Sequence, residues 1–165
     1  MDGQTFLTIA HIIGTALGVG GATFAEIFYL KSARDGESDP FQSSALKTIF
    51  FVLRIGMVIL VLSGFGFLIL YRLSGQTELL YHPKLWAKLT IILVLLFGVI
   101  AWQARKAPLR WGSAVSLTSW YAALILGAWR GLEASYLTIM TVYLLAIVFA
   151  AAALGIIRKL LGIKI

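Results

Sequence analysis

The stretch KTIFFVLRIGMVILVLSGFGFLILYR, residues 47–72, decides the class of this protein. Between its basic ends a single charged residue, Arg54, interrupts an apolar run longer than the roughly 20 residues that a helix needs to cross a bilayer. Four further apolar runs lie near residues 5–30, 85–104, 112–130 and 135–158. This pattern predicts an all-α, polytopic integral membrane protein, a single bundle of five transmembrane helices over residues 1–165.

The composition of the chain agrees with a membrane protein. Of its 165 residues, 60% are hydrophobic and 13% are charged, whereas a soluble domain has about 25% charged residues. The chain has no cysteine, which excludes disulfides, thiolate metal sites and cysteine nucleophiles. The formal net charge is +7, but the basic residues lie at the ends of apolar runs, so we expect the lipid bilayer and no nucleic acid as a partner.

The distribution of lysine and arginine predicts the orientation in the membrane, because basic residues accumulate on the cytoplasmic side. One side holds Lys31, Arg34, Lys47, Arg105, Lys106, Arg110, Arg158, Lys159 and Lys164, and the other holds Arg72, Lys84, Lys88 and Arg130. The pattern therefore predicts an outer N-terminus and a cytoplasmic C-terminus in a prokaryotic inner membrane. Serine and threonine dilute the fourth run, which leaves open that this segment is re-entrant.

His11 is one of the few ionisable residues within the runs, which makes it a candidate functional residue. Gly14, Gly18 and Gly21 follow it at spacings of three, seven and ten residues, so all four share one helical face. One interpretation is a packing seam of small residues against a neighbouring helix. The other is an imidazole presented to a porphyrin, a metal or a proton path across a surface that the glycines leave clear.

Lys88 is predicted at nearly the same depth as His11, since the first and third runs cross the membrane in the same direction. It either extends to the interface beside Trp86 or faces the bundle and binds a carboxylate. The predicted cofactor-binding residues are His11, Gly14, Gly18, Trp86 and Lys88, with His11 as the metal ligand. His82, the other histidine, is about 12 Å from His11 in depth, which makes a haem site with both histidines as ligands awkward.

Glu26 and Arg54 lie at similar depths on successive runs. Because an unpaired charge in the membrane costs several kcal/mol, they are predicted to form a structural ion pair, with a proton-relay role for Glu26 as the alternative.

Three stretches carry a resemblance to known families: AHIIGTALGVGGATFAEIFYL at 10–30, MVILVLSGFGFLIL at 57–70 and LYHPKLWAKLTIILVLLFGVIAWQARK at 80–106. Over residues 6–106 the chain resembles CopD-type copper-resistance membrane proteins and, in outline, the HemJ-type protoporphyrinogen oxidase. The matching positions are His11, Gly20, Gly21, Ser63, Gly64 and Lys88. The chain departs from the oxidase at Ala25-Glu26, where those proteins have Pro-Arg, and at Gly98 and Trp102, where they have a histidine late in helix three.

The resemblance implies a bundle that handles haem, porphyrin or copper in its outer half through His11 and Lys88. We therefore expect a haem- or porphyrin-like cofactor with His11 as axial ligand. A redox function of this cofactor is a further hypothesis. The alternatives are a copper or small-solute transport subunit and a structural subunit without chemistry. In the last case the glycine faces would bind a second copy or a partner membrane subunit. The sequence leaves open whether the protein is an enzyme, and it identifies no catalytic residue.

Overall fold

The computed structural model describes residues 2–35, 40–103, 109–129 and 131–163. These segments form the helices α1 (Gly3–Asp35), α2 (Pro40–Leu73), α3 (Pro83–Gln103), α4 (Leu109–Ala128) and α5 (Tyr136–Leu160), with a 3₁₀ helix at Thr77–Tyr81 and no strand. The all-helical prediction is confirmed, and α1, α2 and α5 are long and apolar enough to cross a membrane. That all five helices span it, with the N-terminus outside, stays a prediction.

Several helix ends are fixed by local hydrogen bonds. The backbone N–H of Thr5 donates to Asp2 Oδ1 over 2.8 Å at the start of α1. Hydrogen bonds from Thr5, chiefly from its side chain, hold the pKa of Asp2 below its usual value. At the start of α5, the hydroxyl of Ser135 accepts from the backbone N–H of Thr138 over 3.1 Å, which satisfies an amide that the helix leaves free. Gly75 follows α2 with a φ of 73°, a left-handed conformation that glycine adopts without strain.

Helices α1 and α2 form a closely packed antiparallel hairpin. A Cβ on Gly14 would lie 2.8 Å from the backbone nitrogen of Leu60, so the two backbones touch at this point. Further along, a Cβ on Gly21 would lie 2.8 Å from the side chain of Leu53. These contacts fix the register of the two helices. Gly14 lies level with Leu60 and Gly21 with Leu53, so the numbers of residues at the same level add up to about 74.

Helix α4 lies against this hairpin and links it to α3 and α5. The ring of Trp120, 2% exposed, fills the space beside Gly18. One core cluster joins α1, α2, α3 and α4 through Ala22, Met57, Leu60, Leu95 and Trp120. A second joins α3, α4 and α5 through Ala87, Ile91, Leu126, Ile139, Tyr143 and Ile147.

The hairpin of α1 and α2 extends beyond α5 at one end. Glu26 of α1 and Arg158 of α5 are in direct contact, which places them at the same level. Helix α1 continues nine residues past Glu26 to Asp35, whereas α5 continues two residues past Arg158 to Leu160. At 1.5 Å per residue, the end of α1 at Asp35 lies about 10 Å further out than the end of α5. We call this the Arg158 end of the bundle, and the opposite one the His11 end.

Candidate functional site

A polar group that we call the histidine cluster, His11, Ser63 and Lys88, lies near the His11 end. Nδ1 of His11 is 2.9 Å from Oγ of Ser63, and Oγ of Ser63 is 2.7 Å from the carbonyl oxygen of Ile59. Because a hydroxyl has one hydrogen, which Ser63 donates to that carbonyl, Nδ1 of His11 must be the donor to Ser63. The imidazole is thereby held as the tautomer that keeps a lone pair on Nε2.

The surroundings of His11 leave Nε2 available. Among the described residues, none forms a hydrogen bond with this nitrogen, and the imidazole is only half-buried. The ring of Phe67 meets the imidazole edge-on, with centroids 5.7 Å apart. A histidine oriented by a hydrogen bond at one nitrogen and free at the other is the arrangement that metal-binding histidines use.

Lys88 is a half-buried cation of the same cluster. Its ammonium is near enough to His11 to oppose protonation of the imidazole, and Lys84 adds further positive charge nearby. No carboxylate in the described segments forms an ion pair with Lys88. The structure thus brings Lys88 into the vicinity of His11, and it leaves this side of the cluster with an uncompensated positive charge.

The predicted cleft beside Gly14 and Gly18 is filled by other helices. A Cβ on Gly14 would meet the backbone of α2 at 2.8 Å, and the ring of Trp120 packs directly on Gly18. A flat ring has no room along this face, which corrects the expectation that these two glycines border a cofactor. At Gly14 and Gly18 the structure has the packing seam that was the first of the two interpretations.

Trp86 and His82 lie outside the histidine cluster. Trp86 is 54% exposed. It precedes Lys88 by two residues on α3, so the two side chains point about 160° apart at 100° per residue. Trp86 and Lys88 therefore lie on different faces of α3, and the role of Trp86 in cofactor binding stays a prediction. His82 is exposed and accepts a hydrogen bond from the backbone N–H of Lys84. The ammonium of Lys84 donates to the carbonyl oxygen of Trp129, just beyond the end of α4.

A second polar group, the Arg158 network, lies at the other end of the bundle. Nη2 of Arg158 donates to Oε1 of Glu26 over 2.8 Å and to Oγ of Ser113 over 2.7 Å. The guanidinium also lies 5.3 Å from the centroid of the Tyr29 ring. The side chains of Arg158 and Glu26 are 3% and 9% exposed. This network joins α1, α4 and α5 through one buried cation.

The predicted ion pair between Glu26 and Arg54 is therefore wrong, because the carboxylate of Glu26 binds Arg158 and Arg54 is exposed on α2. Sequence reasoning missed Arg158 because this residue stands at the end of the last apolar run, where it counted as a loop charge. The position of Arg158 could have indicated the pair, because Arg158 lies near the end of the last apolar run at the depth that Glu26 has near the end of the first run.

One described cavity lies near the Arg158 end of the hairpin. It is an open, mostly apolar groove of about 400 Å³, lined by Phe24, Phe28, Phe41, Ser44, Ala45, Thr48 and Ile49. It is remote from the histidine cluster. Within the described segments, no group of three histidine, aspartate or glutamate residues lies close enough together to hold a metal ion.

No protein-family model, curated protein or solved structure matches this chain. The likeness to CopD-type and HemJ-type proteins therefore stays a prediction from the residues quoted above.

Proposed function

We propose that this five-span membrane protein binds a carboxylate-bearing, porphyrin-like ligand at the histidine cluster, in the half of the bundle that faces outward. Lys88 carries the proposal, since it is a half-buried cation beside an imidazole without a carboxylate partner in the described segments. A charged side chain at membrane depth is costly unless a partner compensates it. A ligand carboxylate supplies that partner.

His11 adds a second and different contact. Its Nδ1–H is engaged by Ser63, so Nε2 presents a lone pair to the ligand. With an iron porphyrin, Nε2 is the group that would bind the iron, and Lys88 the group that would hold a propionate; the iron would supply redox chemistry. The filled glycine face limits this ligand to the side of His11 away from Gly14 and Gly18.

The test is titration of the purified protein in lipid nanodiscs with haemin and, separately, with iron-free protoporphyrin. We expect the wild-type protein to bind both and to shift the Soret band of haemin. Lys88→Gln should lower the affinity for both ligands about tenfold, equivalent to about 1.4 kcal/mol of binding free energy. His11→Ala should abolish the Soret shift of haemin and leave the binding of protoporphyrin unchanged.

The matched control is Lys31→Gln, which removes an exposed cation near the Arg158 end of α1. This variant should bind both porphyrins as the wild type does. Failure of the wild type to bind either porphyrin would reject the proposal, and so would equal binding by Lys88→Gln.

A structural subunit is the second candidate, and the tight seam between α1 and α2 favours it. In that case Ser63 serves to satisfy the buried side of His11, and Lys88 extends its ammonium to the interface. The titration separates the two functions, because a structural subunit predicts no porphyrin binding by any variant.

A further inference from the structure

Arg54 is an exposed cation on the apolar surface of α2. Gly56, two residues after Arg54, packs on Gly14 and Gly18 of α1, so the side chain of Arg54 points about 160° away from the seam. Phe51 is 61% exposed on the same side, and Val58, four residues after Arg54, is also exposed. These residues form the face of α2 that lipid covers.

The depth of Arg54 follows from the register of the hairpin. Arg54 lies level with residue 20 of α1, which is six residues from Glu26 and the Arg158 network. At 1.5 Å per residue its backbone is about 9 Å inside the level of Arg158 and about 12 Å inside the level where α5 ends. A guanidinium left in hydrocarbon at this depth costs several kcal/mol, so Arg54 must reach towards the polar interface.

The direction of α2 favours that reach. Helical side chains lean towards the N-terminus of their helix, and the N-terminus of α2 lies at the Arg158 end. The long apolar stem of arginine can cover lipid-facing surface while its head group approaches the interface. Arg54 therefore extends towards the nearer membrane surface.

Lys47 occupies the same face of α2, closer to that surface. It precedes Arg54 by seven residues, which is two helical turns, and its side chain is exposed. Their Cα atoms are about 10 Å apart along the axis, close enough for both long side chains to contact one phosphate group between them. In the described segments neither cation forms an ion pair with a carboxylate.

We propose that Arg54 and Lys47 bind the phosphate of an anionic phospholipid in the leaflet at the Arg158 end. Guanidinium binds phosphate through paired hydrogen bonds, and lysine adds a point charge. The basic residues predict that this end is cytoplasmic, the side on which anionic lipids attract basic segments next to the membrane. The acyl chains would then lie along the apolar surface around Phe51 and Val58.

The proposal is tested by native mass spectrometry of the protein extracted from vesicles of equal phosphatidylcholine and phosphatidylglycerol content. The wild type should retain phosphatidylglycerol in preference to phosphatidylcholine, and Arg54→Gln should reduce the retained phosphatidylglycerol about fivefold. Arg54→Lys, which keeps the charge, should retain more than Arg54→Gln. The matched control is Arg72→Gln, another exposed arginine of α2 at the opposite end, which should behave as the wild type.

Equal retention of the two lipids by the wild type would overturn the proposal, as would unchanged retention by Arg54→Gln. Helix content and gel-filtration volume are measured for each variant to confirm that it is folded. The preference of the wild-type protein for phosphatidylglycerol is measured without any substitution. Its absence would therefore overturn the proposal even if a variant failed to fold.

Discussion

Glu26 and Arg158 connect the first helix of the chain to the last. Both side chains are buried, and Arg158 also binds Ser113 of α4. A buried ion pair of this kind adds little net stability over an apolar pair, but removal of one partner leaves an uncompensated charge. The strength of the network is therefore best measured as a coupling between its members.

We predict that Glu26→Gln destabilises the bundle by about 3 kcal/mol, because the guanidinium of Arg158 loses its counter-charge in a buried site. The double variant Glu26→Gln with Arg158→Gln should lose less than the sum of the two single changes. Unfolding in mixed detergent micelles measures each free energy. Glu26→Gln combined with Arg54→Gln is the control and should be additive; additivity in the Arg158 cycle would contradict the pairing.

The buried hydrogen bond between Ser119 and Tyr143 allows a second prediction. Oγ of Ser119 is 2.6 Å from both the carbonyl oxygen of Val115 and the hydroxyl of Tyr143. Since Ser119 donates to the carbonyl, the Tyr143 hydroxyl donates to Ser119. Ser119→Ala should then cost about 1–3 kcal/mol, because it leaves a buried hydroxyl unpaired, and Tyr143→Phe should cost less, because Ser119 keeps a partner. Equal losses of unfolding free energy would refute this assignment of donors.

At the scale of elements, the seam between α1 and α2 depends on the absence of side chains. We predict that Gly14→Ala destabilises the protein by about 1–3 kcal/mol, because its Cβ would lie 2.8 Å from the backbone nitrogen of Leu60 and 3.0 Å from the carbonyl oxygen of Gly56. Rigid backbone atoms cannot move away as a flexible side chain can. The effect is measured as a fall in the midpoint of thermal unfolding in detergent.

Gly20→Ala is the matched control within the same helix. A Cβ at Gly20 meets nothing within 4 Å, and alanine favours the helix over glycine by up to about 1 kcal/mol. This variant should unfold at the same temperature as the wild type or slightly above it. A loss at Gly20 equal to that at Gly14 would show that the seam is not the cause.

The sequence predicted the helices well and their partners poorly. The spacing of Gly14 and Gly18 indicated a face of small residues, but a periodicity contains no information about which helix covers that face. For the same reason, equal depth suggested Arg54 for Glu26, while the choice between Arg54 and Arg158 depended on how five helices pack. The apolar runs also missed the polar ends of α1 and α2, where residues 31–35 and 40–46 are helical.

For the molecule as a whole, charge and packing divide the bundle into two different ends. The Arg158 end has the projecting hairpin, the exposed Lys31 and Lys47, and a buried ion pair at its rim. The His11 end has the half-buried Lys88. The charge rule for membrane proteins predicts that the Arg158 end faces the cytoplasm and the His11 end faces outward.

The absence of cysteine makes this orientation directly testable, since a single introduced thiol has no competitor in the chain. Gln76 follows α2 near the His11 end, and Lys159 lies in the last turn of α5 at the other end. In intact cells, a thiol reagent that cannot cross the membrane should label Gln76→Cys, and it should reach Lys159→Cys only after permeabilisation. Labelling of both from outside would contradict the opposite placement of the two ends. Exchange of the two results would preserve the bundle but reverse its orientation, and Lys88 would then face ligands from the cytoplasm.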